Sequence, residues 1–195
     1  MLRGTIRALI VIGILMALTK VSIVHAQSAH PRITPEYKLK VAYLFNFTRY
    51  VQWPATAFED FDTPFRIGVI GRDPFGAALD HVAKLKKAQN RRIVVQRFRS
   101  VKEYRPCQIV FVSKHVRPAE LAAILKQTRQ QPALVVCESS GLARRGATVN
   151  FFLDVDGTIG FEINVDAAQR NKLRINARLL KLARVVRDES PSKER

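Results

Sequence analysis

Short apolar runs that alternate with helical segments restrict this chain to a small set of folds. Four runs are rich in Val, Ile and Phe, and they span residues 65–71, 92–98, 107–113 and 133–138. Helical signals separate them: Asp73-Pro74 begins one segment that runs to residue 85, residues 100–104 form a turn, and residues 118–130 have an apolar face. Near-continuous apolar strands are typical of parallel sheets that are covered on both faces. We therefore predict an α/β fold with a mainly parallel, Rossmann-like sheet and helices on both faces.

Longer elements flank this alternating region. Residues 36–53 lack Gly and Pro and place apolar side chains at helical spacing, which predicts a long buried helix that ends at Trp53-Pro54. Two more apolar segments, 148–155 and 158–165, meet at Asp156-Gly157, which is a strong signal for a β-hairpin. A short helix over residues 166–172 and a final helix over residues 176–187 are predicted to complete the fold.

The first 26 residues have the three-part pattern of a secretory signal peptide. Arg3 and Arg7 precede an apolar stretch over residues 8–18, and Ala26 ends the segment with a small side chain. The apolar stretch is about 11 residues long, shorter than the about 20 that span a bilayer, so we expect cleavage and a location outside the cytoplasm. The alternative is an N-terminal membrane anchor in which Lys20 reaches the interface.

Composition divides the chain into four parts. Residues 1–26 are the expected signal peptide, and residues 27–35 are polar and contain two prolines, which indicates a flexible tail. Residues 36–187 are predicted to form a single α/β domain, because no linker or repeat interrupts them. The charged residues 188–195 are predicted to be a disordered tail.

The chain is strongly basic. Removing Arg3, Arg7 and Lys20 from its 33 Lys and Arg residues leaves 30 basic residues against 16 acidic ones. Such a charge usually indicates nucleic-acid binding, but export argues against a nucleic-acid partner. Anionic headgroups, cell-surface polymers or acidic protein faces are the remaining candidates, and a merely solvated basic surface is an equal alternative.

No catalytic or metal-binding set is found in the sequence. Ser113, Ser139 and Ser140 lack the glycines of a nucleophile elbow. The carboxylates near residues 154–166 coincide with a turn and with a helix cap, so we assign them structural roles. The four histidines show no metal-ligand spacing, and neither cysteine belongs to a CxxC motif. The residues therefore give no support for an enzyme, and we predict neither a cofactor nor a metal.

Two arginine-bearing loops suggest an alternative function as a periplasmic small-anion binder. Arg72 lies in the segment Gly71–Gly76, between a strand and a helix start, where α/β proteins often bind phosphate. This segment matches neither GxGxxG nor a P-loop, and a tight turn is the simpler interpretation. Arg144 and Arg145 follow the fourth strand, and we expect them at the carboxyl edge of the sheet, where such folds bind ligands. A solvated loop is an equal alternative.

For the two cysteines, the expected compartment and the predicted strand geometry lead to opposite predictions about a disulfide. Export favours one disulfide between Cys107 and Cys137. If the third and fourth strands are parallel neighbours, however, the two residues are offset by about four to five positions, or about 13–16 Å. A disulfide needs Cα atoms within about 7 Å, so we predict no bond within the chain. We expect Cys137 to be buried and Cys107 to be free or to pair between chains.

Several motifs in order resemble the YfiR family of bacterial periplasmic proteins. They are EYKLKVAYLFNFTRYVQWP at 36–54, FRIGVIGRDPFG at 65–76, CQIVFVS at 107–113, and FEIN at 161–164 ahead of LLKLA at 179–183. The resemblance covers about residues 36–186. Relatives often carry a cysteine at the position of Gly68 that can pair with the one at Cys107. Because this chain lacks that partner, the resemblance does not extend to redox sensing by this route.

The resemblance implies a non-enzymatic periplasmic regulator. Such a protein would bind the periplasmic sensor domain of an inner-membrane diguanylate cyclase, or of a sensor kinase, and hold it inactive. An outer-membrane lipoprotein would relieve the repression by sequestering the regulator, which is expected to be a homodimer. The regulator would thereby pass envelope state into cyclic-di-GMP signalling.

The predicted hairpin also suggests a partner surface. Its second strand alternates apolar and polar residues, and we expect it to lie at the edge of the sheet. We therefore hypothesise that Phe161, Glu162, Asn164 and Arg174 lie at or beside the partner-binding face.

Overall fold

The computed structural model describes residues 33–189. The expected signal peptide, most of the N-terminal tail and the end of the C-terminal tail lie outside these residues. The helices are α1 (Pro35–Tyr50), α2 (Ala77–Leu85), α3 (Pro118–Thr128), α4 (Val165–Arg170) and α5 (Ala177–Leu180). The strands are β1 (Val51–Gln52), β2 (Phe65–Ile70), β3 (Lys87–Ala88), β4 (Arg91–Phe98), β5 (Ile109–Val112), β6 (Leu134–Cys137), β7 (Val149–Leu153), β8 (Ile159–Asn164), β9 (Arg174–Ile175) and β10 (Arg184–Val186). Short 3₁₀ turns occur at Ala55–Ala57 and Val101–Glu103.

Eight of the strands form one sheet in the order β10-β8-β7-β6-β5-β2-β4-β3. Neighbours are parallel from β7 through to β4 and again between β8 and β10, whereas β7–β8 and β3–β4 are antiparallel. The sheet is therefore mixed. The hairpin and the β3 edge depart from the mainly parallel, Rossmann-like sheet that the apolar runs predicted, because their short connections allow only antiparallel pairing.

Alternate residues of the strands build two cores on opposite faces of the sheet. In β5, Ile109 and Phe111 belong to the first core, and Val110 and Val112 belong to the second. Helix α1 packs on the first core through Leu44 and Phe47, both fully buried. Ile124 of α3 packs on the second core. The strands read as continuous apolar runs because both of their faces are covered.

The long first helix and the hairpin are confirmed with small changes of boundary. Pro35 occupies the first turn of α1, and the Thr34 hydroxyl accepts a hydrogen bond from the Tyr37 amide at 3.5 Å. The helix ends three residues earlier than predicted, because Val51 enters a two-stranded sheet opposite Ile175. Asp156-Gly157 lies in the turn between β7 and β8, as predicted.

The start of α2 was predicted too early. Asp73 does accept backbone hydrogen bonds, from Phe75 at 2.7 Å and Gly76 at 3.3 Å, but these close a turn rather than cap a helix. The helix begins only at Ala77. Arg97 fixes the turn from the neighbouring strand β4 with a hydrogen bond of 2.6 Å to the Asp73 carboxylate.

The predicted final helix is wrong. Only Ala177–Leu180 is helical, and Arg184–Val186 forms strand β10, which pairs in parallel with β8. The pair Val185-Val186 is β-branched and fits a pleated strand, and Val186 is buried beside the sheet. Strand β8 is consequently an interior strand, and the hypothesis that it lies at the sheet edge is corrected. Among residues 33–189, no helix has the length and apolar character needed to cross a bilayer.

Candidate functional site: the hairpin groove

A row of polar side chains crosses the second face of the sheet beside the hairpin. The strand register aligns Cys137 with Asn150, Asn150 with Glu162, and Glu162 with Arg184. Side chains of residues aligned in this way project from the same face of the sheet. Asn150, Glu162 and Arg184 border an open hollow of about 390 Å³, whereas Cys137 does not. We call this hollow the hairpin groove and define it by Glu138, Asn150, Phe152, Asp154, Glu162 and Arg184.

Asn150 supplies the most unusual feature of the groove. Its side chain is buried, with 1% of the residue exposed, and its Oδ1 atom has no hydrogen-bond partner among the described residues. Buried side-chain polar atoms are almost always paired, because an unpaired one forfeits about 1–3 kcal/mol of solvation. An unpaired amide in the wall of an open groove is therefore placed to pair with a group that enters the groove.

Glu138 also borders the groove, but its carboxylate points to the first face of the sheet, towards α1. It follows β6 directly, and its side chain is only 2% exposed. The carboxylate accepts hydrogen bonds from Lys40 Nζ at 2.7 Å, the Lys114 amide at 3.0 Å and the Tyr37 hydroxyl at 3.4 Å. These donors come from α1 and from the residues after β5, so Glu138 ties three parts of the chain together at the carboxyl end of the parallel strands.

The environment of Tyr37 reflects the negative charge at this position. Burial, followed by the charges of Glu138 and Glu36, raises the pKa of the Tyr37 hydroxyl above its usual range, and Arg72 opposes this rise. The hydroxyl therefore stays protonated and donates to Glu138 at neutral pH. Glu138, at the border of the groove, is accordingly held by fixed hydrogen bonds from α1 and from the Lys114 amide.

Arg184 and Phe152 form the opposite side of the groove. The guanidinium of Arg184 lies over the Phe152 ring, 4.4 Å from its centroid, and its Nη1 atom is 3.8 Å from Glu162 Oε1. A Cβ atom on Gly160 would lie 2.4 Å from the Phe152 ring, so only glycine allows the ring to lie flat across β8. Arg184 is held by the aromatic face as well as by the ion pair, because guanidinium groups are attracted to π faces.

The groove is acidic on a basic protein. Asp154 and Glu162 outnumber Arg184 here, whereas the whole chain has 33 basic and 16 acidic residues. At the tip of the hairpin, Leu153 and Val155 expose their side chains to solvent. The groove thus combines polar side chains, one of which has an unpaired oxygen, with exposed apolar side chains at its rim. Exposed apolar side chains next to polar ones are typical of a protein-binding surface.

The comparison with known families agrees with the motifs in the sequence. Residues 37–184 match the family model described as YfiR/HmsC-like. The chain belongs to the YfiR/HmsC-like family. No curated protein matches it. The family match spans α1 through the start of β10, so it includes every element that builds the hairpin groove, and it confirms the resemblance noted in the sequence.

The structure separates the four residues hypothesised for the partner face of this YfiR/HmsC-like chain. Glu162 lies in the groove. Phe161 points to the opposite face, where its ring centroid lies 5.2 Å from that of Tyr43, and it is buried. Asn164 is fully buried and caps α4. Phe161 faces away from Glu162, because alternate residues of a strand point to opposite sides. Asn164 shares the face of Glu162, but it is fully buried and hydrogen-bonded to Ala143 and Asp188, so neither side chain is exposed to a partner in this structure.

Arg174 occupies a different surface from Glu162. It is exposed in β9, opposite Gln52 of β1, and the two strands form a separate two-stranded sheet. It borders its own hollow together with Leu173 and Leu180. The four residues therefore do not form one continuous patch.

The arginines predicted to bind an anion are also separated. Arg72 follows β2 at the carboxyl edge of the sheet and is exposed. Arg145 borders a hollow with Thr128, at the end of α3, and with Asn171, whose side chain donates to the Ala133 carbonyl just before β6. The expectation that Arg144 and Arg145 lie at the carboxyl edge is therefore wrong, because their loop crosses the sheet to reach the start of β7.

Both cysteines are free and buried. Strands β5 and β6 are parallel, and Cys137 aligns with Val112, five positions beyond Cys107 and thus about 16 Å along the strand. Burial raises the pKa of the Cys107 thiol to about 12. The thiol is therefore protonated at neutral pH, and it donates to the Arg105 carbonyl at 3.2 Å. It lies inside the second core.

Of the six residues that define the groove, reasoning from the sequence proposed only Glu162 for a site and missed the other five, which include Asn150 and Arg184. Asn150 interrupts the apolar stretch of β7, and a polar residue within a core strand is a signal that could have identified it. Arg184 was assigned to a helix, so no sequence signal placed it opposite Glu162. Within residues 33–189, no group of three or more His, Cys, Asp or Glu side chains could hold a metal ion.

Proposed function

We propose that this protein is a non-enzymatic periplasmic regulator that binds the periplasmic sensor domain of an inner-membrane signalling enzyme of the diguanylate cyclase type and represses it. Membership of the YfiR/HmsC-like family supports this class of function. The observation that carries the choice of surface is the unpaired, buried Oδ1 of Asn150 in an acidic groove with an apolar rim.

The groove fits a partner that presents a basic side chain flanked by apolar residues. A Lys or Arg donor entering the groove would pair with Asn150 and approach Asp154 and Glu162. The exposed Leu153 and Val155 would lose their contact with water in the complex. Complementary charge contributes specificity and a faster association, whereas the buried apolar contacts contribute most of the affinity.

Repression requires preferential binding to one state of the enzyme. A regulator shifts the equilibrium of its target only by the difference between its affinities for the two conformations. In this proposal the regulator prefers the inactive sensor domain, and loss of the regulator raises cyclic-di-GMP. The same proposal has three further parts. The regulator acts as a homodimer, an outer-membrane lipoprotein releases the target by sequestering the regulator, and a sensor kinase is the alternative target. Contact through Arg174 would form a second surface.

The experiment measures binding of the purified protein to the purified periplasmic domain of each inner-membrane diguanylate cyclase of its bacterium. Asn150→Leu removes the unpaired amide, and Glu162→Lys reverses the charge of the groove. Glu59→Lys is the matched charge control, because Glu59 is exposed and borders a different hollow, beside Thr63 and Arg66. Arg174→Glu tests the second surface. Cyclic-di-GMP is measured in a deletion strain complemented with each variant.

Wild type and Glu59→Lys are expected to bind one such domain and to restore low cyclic-di-GMP. Asn150→Leu and Glu162→Lys are expected to weaken binding at least about tenfold, as the loss of a buried or charge-assisted hydrogen bond does. Unaltered binding by both groove variants would refute the groove as the contact surface. A deletion strain with unchanged cyclic-di-GMP and no binding to any of these domains would refute the regulatory function itself.

Asn150→Leu also gives a stability readout that separates binding from folding. Because Oδ1 has no partner, its replacement by an apolar side chain of similar size is expected to leave the free energy of unfolding unchanged or to raise it by about 1 kcal/mol. The control is Asn171→Leu. Asn171 is also buried but pairs with Gln130 and Ala133, so this variant is expected to lose about 1–3 kcal/mol of stability while retaining binding.

A further inference from the structure

A second hollow, far from the hairpin groove, is lined by basic side chains. It has a volume of about 190 Å³ and is bordered by Lys126, Thr128, Arg129, Arg145, Arg170 and Asn171. It lies between the end of α3, the loop before β7 and the end of α4. Four of its six defining side chains are cationic, and none is acidic.

Most of this positive charge is uncompensated. Lys126, Arg129 and Arg145 have no acidic group within salt-bridge distance among residues 33–189, whereas Arg170 pairs with Asp188 through both terminal nitrogens. Burial alone would raise the pKa of Asp188, but the hydrogen bonds from Arg170 and Asn164 and the charges of Arg170 and Arg129 lower it. Asp188 therefore stays ionised at neutral pH and offsets only one of the four cations.

The frame of the hollow is held by buried hydrogen bonds. Asn171 Nδ2 donates to the Ala133 carbonyl at 2.8 Å, and its Oδ1 accepts from the Gln130 amide at 3.1 Å. The Thr128 hydroxyl donates to the Ile124 carbonyl at 2.8 Å. At Gly146, whose φ of +108° suits glycine, an added Cβ would lie 3.8 Å from Arg170 Nη2, so the guanidinium packs against the loop backbone. The cations thus surround a preformed concave space.

We propose that this basic hollow binds a phosphate group. A volume of about 190 Å³ is smaller than the about 300–1,000 Å³ of sites for drug-sized ligands, so it suits a small oxyanion or the headgroup of a larger molecule. Arg guanidinium groups recognise phosphate through paired, charge-assisted hydrogen bonds, and Arg129 and Arg145 are available for this. The site is independent of the hairpin groove and of the partner proposed for it.

The phosphate could come from a soluble phosphate or from an anionic lipid headgroup, and the experiment distinguishes the two. Isothermal titration calorimetry with inorganic phosphate, at about 0.15 M salt to screen distant charges, measures the soluble form. Co-sedimentation with phosphatidylglycerol vesicles, against phosphatidylcholine vesicles, measures the lipid form. Arg129→Gln and Arg145→Gln remove lining charges. Arg144→Gln is the matched control, because Arg144 is adjacent and exposed but does not border the hollow.

The purified wild-type protein is expected to bind phosphate at one site per chain or to bind phosphatidylglycerol vesicles. Arg145→Gln and Arg129→Gln are each expected to weaken that binding at least about tenfold, and Arg144→Gln is expected to change it less than about threefold. Asp188→Asn should tighten binding, because it removes a competing carboxylate. Saturable phosphate binding identifies a soluble ligand, and Arg145-dependent vesicle binding identifies a lipid. Failure of both probes, or equal losses in Arg144→Gln and Arg145→Gln, would overturn the proposal.

Discussion

Lys40 and Glu138 are 98 positions apart in the sequence, yet Lys40 Nζ donates to Glu138 Oε2 at 2.7 Å with both side chains almost fully buried. Lys40 belongs to the helix that precedes the sheet, and Glu138 follows a central strand. A second carboxylate, Glu36, lies 2.5 Å from the same ammonium group one helical turn earlier. The ion pair therefore joins α1 to the border of the hairpin groove.

The substitution Lys40→Met is expected to lower the free energy of unfolding by about 3–5 kcal/mol, because it leaves the Glu138 carboxylate buried without its cation. Urea denaturation measures the change. The double variant Lys40→Met, Glu138→Gln is the control and should recover most of the loss, because it removes the uncompensated charge as well. A loss of less than about 1 kcal/mol in the single variant would show that the Lys40–Glu138 ion pair contributes little to the stability of the fold.

Gly68→Cys is expected to create a disulfide with Cys107. A Cβ atom built on Gly68 lies 3.5 Å from Cys107 Cβ, at the short end of the about 3.5–4.5 Å that disulfides span. The Phe98 ring, 3.0 Å from the same Cβ, must shift slightly. Under oxidising conditions the variant should lose two hydrogens in mass and yield a linked peptide. Wild type, with Cys107 and Cys137 about 16 Å apart along the strands, should do neither.

The stability of the protein is expected to fall at alkaline pH. The folded state keeps the Cys107 proton up to a pKa of about 12, whereas the unfolded chain releases it near its ordinary pKa of 9.0. The unfolded state therefore binds fewer protons above pH 9.0, and the stabilisation present below that pH is lost progressively as the pH rises towards about 12. Tyr37 and Tyr104, whose pKa values burial also raises, add to the trend at higher pH.

Chemical denaturation between pH 7 and 11 tests this dependence. Cys107→Ala should be less stable than wild type at pH 7, because a small cavity replaces the thiol, but its stability should fall less steeply above pH 9. Identical slopes for wild type and variant would contradict the assigned role of Cys107. In the native protein, a thiol reagent at pH 8 should label neither cysteine rapidly, and unfolding should expose both.

Asn164→Ala is expected to destabilise the fold by about 2–4 kcal/mol. The side chain accepts from the Ala167 amide at 2.9 Å and donates to the Ala143 carbonyl at 2.6 Å and to Asp188 at 2.8 Å. Its loss removes a helix cap, the donor to Asp188 and one of the two donors to the Ala143 carbonyl, which keeps the Gly146 amide at 3.1 Å. Thermal and urea unfolding measure the effect. Normal stability together with lost partner binding would instead place Asn164 in the partner contact, as the sequence had suggested.

Local patterns identified most of the elements correctly, since their signals depend on neighbouring residues. The helix over Pro35–Tyr50 follows from apolar spacing and a following proline, and the β7–β8 hairpin follows from Asp156-Gly157. The polar signal at Asn150 was also present in the sequence, although its meaning depends on what surrounds it. Residues 184–186 show where the local pattern fails: a segment with helical spacing becomes a strand because β8 offers it an edge.

The sequence by itself determined the family, the α/β class, the order of most strands and helices, and an excess of positive charge. Only the tertiary structure decided which side chains meet. It placed Asn150, Glu162 and Arg184 in one row, moved Phe161 and Asn164 inside, and put Arg145 beside Arg170 rather than near Arg72. The physical reason is that periodicity reports local backbone conformation, whereas a site depends on register and strand order, which long-range pairing sets.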